Sequence, residues 1–326
     1  MKRKLLFIGL LTALLVIGLD SCKKESEAKE PPTCDFSIKA EGLKITFTAV
    51  ATNTDTYAWN FGDGQTSTEA NPVHTYADGG EYEVKLVVTG EGGSAEKKIK
   101  VTVTPGLEDI KIMLTGGPGA ANGKTWVLKT DSPVDGDGAS AIEPNMLVLI
   151  PIPADFYGWM GKERLDGKKE EYTFKYDGSF KIDTKNDTVL AISLYAFFNG
   201  ITVDQSNTPY GTCRATGYVQ PAGATWEIRE SDITVDAITN PSETTVPPAH
   251  GNVVFSGKKW LSLSPGSFLG FLDFSTSSNI IIKSISPTQL RVAIMVCMYQ
   301  GAAAPGGADF ANLPTYMYHM TFIPKP

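Results

Sequence analysis

Trp59-Asn60-Phe61-Gly62-Asp63-Gly64, followed at intervals by Pro72, His74, Tyr76, Gly80, Tyr82, Val84, Leu86 and Val88, decides the reading of the first third of this chain. Tyr82, Val84, Leu86 and Val88 occupy every second position, the period of a strand with one buried face. Asp63-Gly64 offers a residue that can take a positive φ, which the chain needs to reverse after the strand around Trp59. Working outward, residues 36–39, 43–50 and 56–60 alternate as strands, and 81–89 and 97–104 close the set. Glu91-Gly92-Gly93-Ser94 supplies the hairpin loop between the last two. Trp59 on an alternating strand belongs to the core, and His74 reads as a satisfied structural residue rather than a catalytic base.

This spaced series resembles a PKD domain over residues 34–104, which implies an immunoglobulin-like β-sandwich. Such domains are common in extracellular proteins as spacers or modest interaction modules, and the spacer role is the expectation here. The chain of 326 residues has room for more than this one domain. Its 32 glycines and 20 prolines are scattered between short β-branched and aromatic runs, which favours an all-β chain. The formal charge is -7, and no basic block offsets it, so nucleic acid is not an expected partner.

At the N-terminus, Lys2-Arg3-Lys4 precedes an apolar run from Leu5 to Leu19 that stops at Asp20-Ser21-Cys22. That run is too short for a comfortable membrane span and reads as a secretion signal over residues 1–21. Leu19-Asp20-Ser21-Cys22 resembles a bacterial lipobox, which implies that Cys22 becomes the acylated first residue. Residues 22–33 then form a flexible tether. The charged run after Cys22 is similar to surface-export signals of Bacteroidetes, implying a lipid anchor in the outer membrane with the protein facing the cell exterior.

Pro105-Gly106 ends the first domain, 105–123 reads as a linker, and 124–326 as a second all-β domain, a larger β-sandwich or jelly-roll-like unit. Strands are expected at 124–129, 145–152, 171–182, 189–195, 225–229, 252–256, 259–264, 279–285, 289–298 and 316–323, and no segment sustains a helical apolar period over three turns. One hairpin can be placed in register. A three-residue loop, Tyr176 to Gly178, with Gly178 left-handed, pairs Phe174 with Phe180 and Tyr172 with Ile182 on one buried face. Cys34, Cys213 and Cys297 allow one bridge, Cys213 to Cys297, or three separate thiols.

Catalytic chemistry is poorly supplied, so the chain is not expected to be an enzyme. His74, His250 and His319 are isolated from one another, and Glu230-Ser231-Asp232-Ile233-Thr234-Val235 lacks the third carboxylate of the sandwich-glycosidase strand it resembles. No cofactor is called for beyond a structural calcium. Asp131, Asp135 and Asp137, set among glycines, suit that ion, but without the full twelve-residue ligand pattern they read more readily as an ordinary solvated turn.

Aromatic placement points elsewhere. Sugar rings present apolar C–H faces with polar edges, so their sites offer flat aromatics beside polar side chains. Tyr157 and Trp159 lie in a turn-rich segment where they cannot all be core, and Tyr210 lies in a long loop with Tyr218. Trp260 begins a strand and divides between rim and core, whereas Trp126 and Trp226 read as core and Phe268, Leu269 and Phe271 pack internally.

Lys124-Thr125-Trp126-Val127-Leu128, the Tyr172 to Phe180 hairpin, Gly266-Ser267-Phe268-Leu269-Gly270-Phe271 and the closing Tyr318 to Lys325 run resemble PKD-containing lipoproteins of Bacteroidetes. Many of those are similar to surface glycan-binding proteins of polysaccharide-utilisation systems. The resemblance implies a non-catalytic protein that captures polysaccharide, in company with an outer-membrane glycan importer. An adhesion protein that binds another protein, and a divergent polysaccharide hydrolase, remain the alternatives.

Overall fold

The computed structural model describes residues 28–129, 138–141, 150–151, 170–185, 188–204, 212–238, 250–274, 278–297 and 313–326. It is all-β, with two sandwich-like units in sequence. In the first, β1 (Thr33–Glu41), β2 (Lys44–Thr52) and β5 (Val73–Thr75) form one antiparallel sheet. The facing sheet has the order β4 (Thr66–Ser67), β3 (Thr56–Asn60), β6 (Gly80–Gly90), β7 (Gly93–Val103). Alternation sends Phe36 and Phe47 from one sheet against Trp59, Leu86 and Val88 from the other. Trp59 meets Phe36 edge-on at 4.9 Å, and its indole N–H donates to Glu69 O at 2.9 Å, so the largest core residue is both buried and satisfied. Gly64 takes the expected positive φ of 91°; Gly62 is at 85° and has no room for a side chain, since a Cβ there would sit 2.7 Å from Glu83 O.

The expected linker contains a helix, α1 (Leu107–Thr115), with Ile110, Met113 and Leu114 on its buried face. Nine residues give fewer than three turns, too short for its apolar period to stand out in sequence. Asp109 fixes its start. The carboxylate accepts the Gly106 N–H at 2.8 Å and, from the first domain, the Leu43 N–H at 3.0 Å. At the other end Leu114 O accepts the Trp126 indole N–H at 2.8 Å, so the helix joins the cores of both units.

Next come β8 (Lys124–Leu128), β9 (Gly138–Ala141), β10 (Ile150–Pro151), β11 (Glu171–Phe174) and β12 (Phe180–Asp183). The C-terminal half adds β16 (Trp226–Ile238), β17 (His250–Leu263), β18 (Ser278–Ser286), β19 (Gln289–Val296) and β20 (Tyr316–Pro324). These form one antiparallel sheet, β12-β11-β8-β20-β19-β18-β17-β16, with β9 against β20 and β10 against β9. Its ends meet: Phe180 N–H donates to Ala224 O and Trp226 N–H to Gly178 O, both at 2.9 Å. The hairpin register is the expected one, Phe174 opposite Phe180 and Tyr172 opposite Ile182, with Gly178 at φ 90°.

Ile280 and Ile282 face one core while Ile281 faces another, which explains continuous apolar runs on central strands. The second core is covered by the far halves of β16 and β17. The segments 252–256 and 259–264, expected as separate strands, are one strand bent at Gly257, where φ is 61°. Asp232 Oδ1 accepts the Gly257 N–H at 2.7 Å and holds the bend.

A fourth sheet, β13 (Thr188–Ile192), β15 (Thr212–Thr216) and β14 (Thr202–Asp204) in that order, carries a short helix α2 (Ser193–Phe198) after β13. No disulfide joins Cys34, Cys213 or Cys297 to one another, and the last two are buried.

Gly42 lies at φ 66°, and an added Cβ would approach Asp109 Oδ2 to 2.0 Å. Gly42→Ala and Asp109→Ala should each lower unfolding free energy by about 1–3 kcal/mol, since both remove the Leu43 hydrogen bond. In denaturant melts the double variant is expected to cost clearly less than the sum; strict additivity would mean that the two act independently.

Candidate functional site

Of the aromatics singled out in sequence, Trp260 is a correction. It is 0% exposed in the second core, edge-on to Phe255 at 5.8 Å, with its indole N–H donating to Ser231 O at 3.0 Å. The bend at Gly257 folds the hairpin over it, so no face remains for a ligand. Trp126 and Trp226 are buried as expected, and so are Phe268, Leu269 and Phe271. Tyr218 is half-buried against Phe268, and its hydroxyl donates to Gly266 O at 2.9 Å. Burial pushes its phenol up to about 12. Tyr157, Trp159 and Tyr210, the calcium candidates Asp131, Asp135 and Asp137, and the lipidation candidate Cys22 all lie outside the described residues. Among the described residues, no group of three or more His, Cys, Asp or Glu side chains is placed to hold a metal ion.

The aromatic surface that the described residues do present is on α2. Phe197 is 62% exposed and Phe198 50%, with ring centroids 5.7 Å apart at 75°. Phe198 also leans on Phe274 at 6.3 Å, and Phe274 on Tyr195 at 5.1 Å, so the outer rings rest on inner ones. The helix stops at Asn199, whose Nδ2 donates to Tyr195 O at 2.8 Å, and at Gly200, where φ is 65°. The sequence reading carried the strand to Tyr195 and missed this ledge. Its signal was Asn199-Gly200 straight after an apolar run, which serves as a helix stop as well as a hairpin turn.

The charged groups near the ledge are structural. Arg214 on β15 pairs with Glu170 Oε1 at 2.7 Å and donates to Thr188 O at 2.7 Å, while Glu170 also accepts the Leu190 N–H at 2.6 Å. Burial pushes the Glu170 carboxyl up, and the Arg214 guanidinium pulls it back. In the first domain, His74 Nε2 donates to Asp63 Oδ2 at 2.7 Å, and its ring stacks on Phe61 at 4.2 Å. Burial pushes Asp63 up, but the Gln65 N–H and the His74 ring outweigh it and leave the carboxyl below its ordinary value.

That aromatic, glycine-turned sandwich matches a family model over residues 29–105. Residues 29–105 are a PKD domain. A pre-pro-metalloprotease of Vibrio cholerae, PrtV, is 36% identical over 78 residues, covering 23% of this chain and 8% of the protease. The structure of the PKD1 domain of that protease is 36% identical over 23% of this chain and 99% of its own, with a TM-score of 0.22. Collagenase ColA of Bacillus cereus is 66% identical over 32 residues, 10% of this chain and 3% of the collagenase. This chain therefore spans only a small fraction of these curated relatives, and both enzymes match the PKD part alone. A carbohydrate-binding module of the β-sandwich superfamily aligns over 91% of this chain and 92% of its own at 12% identity, with a TM-score of 0.23, too low to assign the second domain.

The PKD domain carries a pH prediction. A carboxyl depressed by folding adds stability above its unfolded value and loses it as pH falls through the folded one. Asp63→Asn should therefore cost about 1–2 kcal/mol at neutral pH. Thermal melts followed by circular dichroism should show the gap from wild type closing once the pH drops below about 4. A gap that persists undiminished at pH 2 would mean that Asp63 ionisation contributes nothing.

Proposed function

We propose that this chain is a non-catalytic polysaccharide-binding protein, anchored at the outer membrane through a lipid on Cys22, in which the second domain grips the glycan for a neighbouring importer. The observation that carries the reading is the exposure of Phe197 and Phe198 side by side on a short helix. Burial of an aromatic in water-free surroundings is favourable, so a protein that leaves two phenyl rings in solvent offers them to a partner. Two rings at a steep angle make a corner, and the apolar face of a sugar can stack on one ring while its edge meets the other. Tyr157, Trp159 and Tyr210, expected from the sequence as stacking residues, extend the reading. The enzymatic relatives lend no catalytic group to it, because their likeness lies in the PKD domain.

Affinity electrophoresis of the mature chain through gels containing β-glucan, xylan or mannan tests the reading. At least one neutral glycan should retard migration. Replacing Phe197 and Phe198 by Ala should remove about 1–1.5 kcal/mol per stacked ring, roughly tenfold in affinity for each. Both rings are exposed, so the fold should survive, which circular dichroism would verify. Migration unaffected by every glycan would overturn the proposal and return the ledge to a protein partner.

A further inference from the structure

A concave surface lined by none of the ledge residues lies between the PKD domain and the large sheet. It is a cleft of about 450 Å³, within the usual range for small-molecule sites. Val103, Thr104 and Pro105 form the PKD side, Ile110 of α1 contributes at the hinge, and Ile282 and Ile285 form the opposite wall. Three cations line it: Lys258, Lys259 and Lys283. Asp78 is the one carboxylate among the described lining residues.

Their convergence is built by the fold. Trp260, opposite Ile281, is the first β17 residue to pair with β18, so Lys258-Lys259 and Ile282-Lys283 both lie just beyond that end of the ladder. Neighbouring like charges on paired strands are unfavourable. Lys259 is partly relieved by Glu230 Oε1 at 4.0 Å, and its side chain is only 18% exposed. Lys283 Nζ lies 2.9 Å from Nδ1 of His319. Lys258 makes no ion pair among the described residues. A chain with a formal charge of -7 has thus set Lys258 and Lys259 together in a concave, partly apolar site, beside a Lys283 that is engaged with His319. Such a site focuses positive potential and is relieved by an anion.

We propose that this cleft binds an acidic saccharide, with a carboxylate or sulfate on Lys258 and Lys259 and the sugar ring against Ile282 and Ile285. That the anion is borne by a sugar rests on the polysaccharide reading above; that the cleft takes an anion does not. The PKD domain then supplies one wall of a binding site in addition to its place as a spacer.

Titration calorimetry of the full mature chain with trigalacturonate, and separately with inorganic sulfate, tests this. Trigalacturonate should bind at low ionic strength and weaken at least fivefold at about 0.3 M NaCl. Replacing Lys258 and Lys259 together by Gln should weaken it about tenfold or more. Thr104→Trp, which fills the cleft from the PKD side, should do the same, whereas the Phe197 and Phe198 variants should leave it unchanged. If the lysine variant loses binding and Thr104→Trp does not, the cleft is overturned in favour of an open basic patch. Absent trigalacturonate binding, or binding of sulfate alone, overturns the proposal as well. Loss of neutral-glycan retardation with trigalacturonate binding intact would remove the ledge and leave this site standing.

Discussion

One carboxylate sets the relation between the two halves of this chain. Asp109 accepts the Gly106 N–H that begins α1 and the Leu43 N–H of the turn between β1 and β2. A backbone donor left unpaired in a partly buried junction is costly, so both helix start and domain contact hang on the same group. The helix then passes the constraint on. Its far end receives the Trp126 indole N–H at Leu114 O and the Lys124 ammonium at Met113 O, and Lys124 also reaches Pro287 O at 2.6 Å. Burial lowers the Lys124 pKa, so a group that costs energy to desolvate is retained for the carbonyls it caps. The apolar contacts run through Ile110, Met113 and Leu114 without a break, and the cleft takes its shape from that joint.

The PKD domain was readable because each of its features is local. Alternation from Tyr82 to Val88 names a face, and glycine at 64 names a reversal. The Tyr172 to Ile182 hairpin was readable in register for the same reason: a one-residue slip would turn Phe174 and Phe180 outward, and Gly178 alone suits the left-handed position. Both readings combine a period of two with a turn residue that has no substitute nearby.

Features that depend on distant neighbours were not readable. In α1, Gly106, Glu108, Asp109 and Gly116 are all suitable helix-end residues, yet the apolar stripe is too short to separate from a strand-like run. Gly257 looked like a break between two strands and is instead a bend within one, because β16 bends beside it with a register shift between Ser231 and Ile233. That bend decides the fate of Trp260. Nothing next to it in sequence distinguishes a rim tryptophan from one roofed by Phe255 and Val253. Phe197 and Phe198 are the reverse case, since adjacent aromatics after a buried strand invite a core assignment.

The phenyl ledge is held by polar bonds as well as by the apolar residues Val189, Leu190, Ile192 and Ala196, which are buried in the main core. Its helix connects β13 to β14, and that small sheet is joined to the large one through Glu170, which leads into β11, and Arg214 on β15. Leu190 and Ile192 add backbone bonds to Leu272, each at 2.9 Å, beside the segment that carries Phe274. An ion pair of this burial contributes little net energy against an apolar substitute, but it tolerates few alternative geometries. A sliding apolar interface would let the small sheet, and the rings with it, take several positions. The guanidinium, tied to Thr188 O and the Glu170 carboxylate, and that carboxylate, tied to the Leu190 N–H, admit one. The rings reach solvent with their backing fixed, which is the arrangement a stacking surface requires, since its affinity is reduced by whatever freedom the ligand must remove.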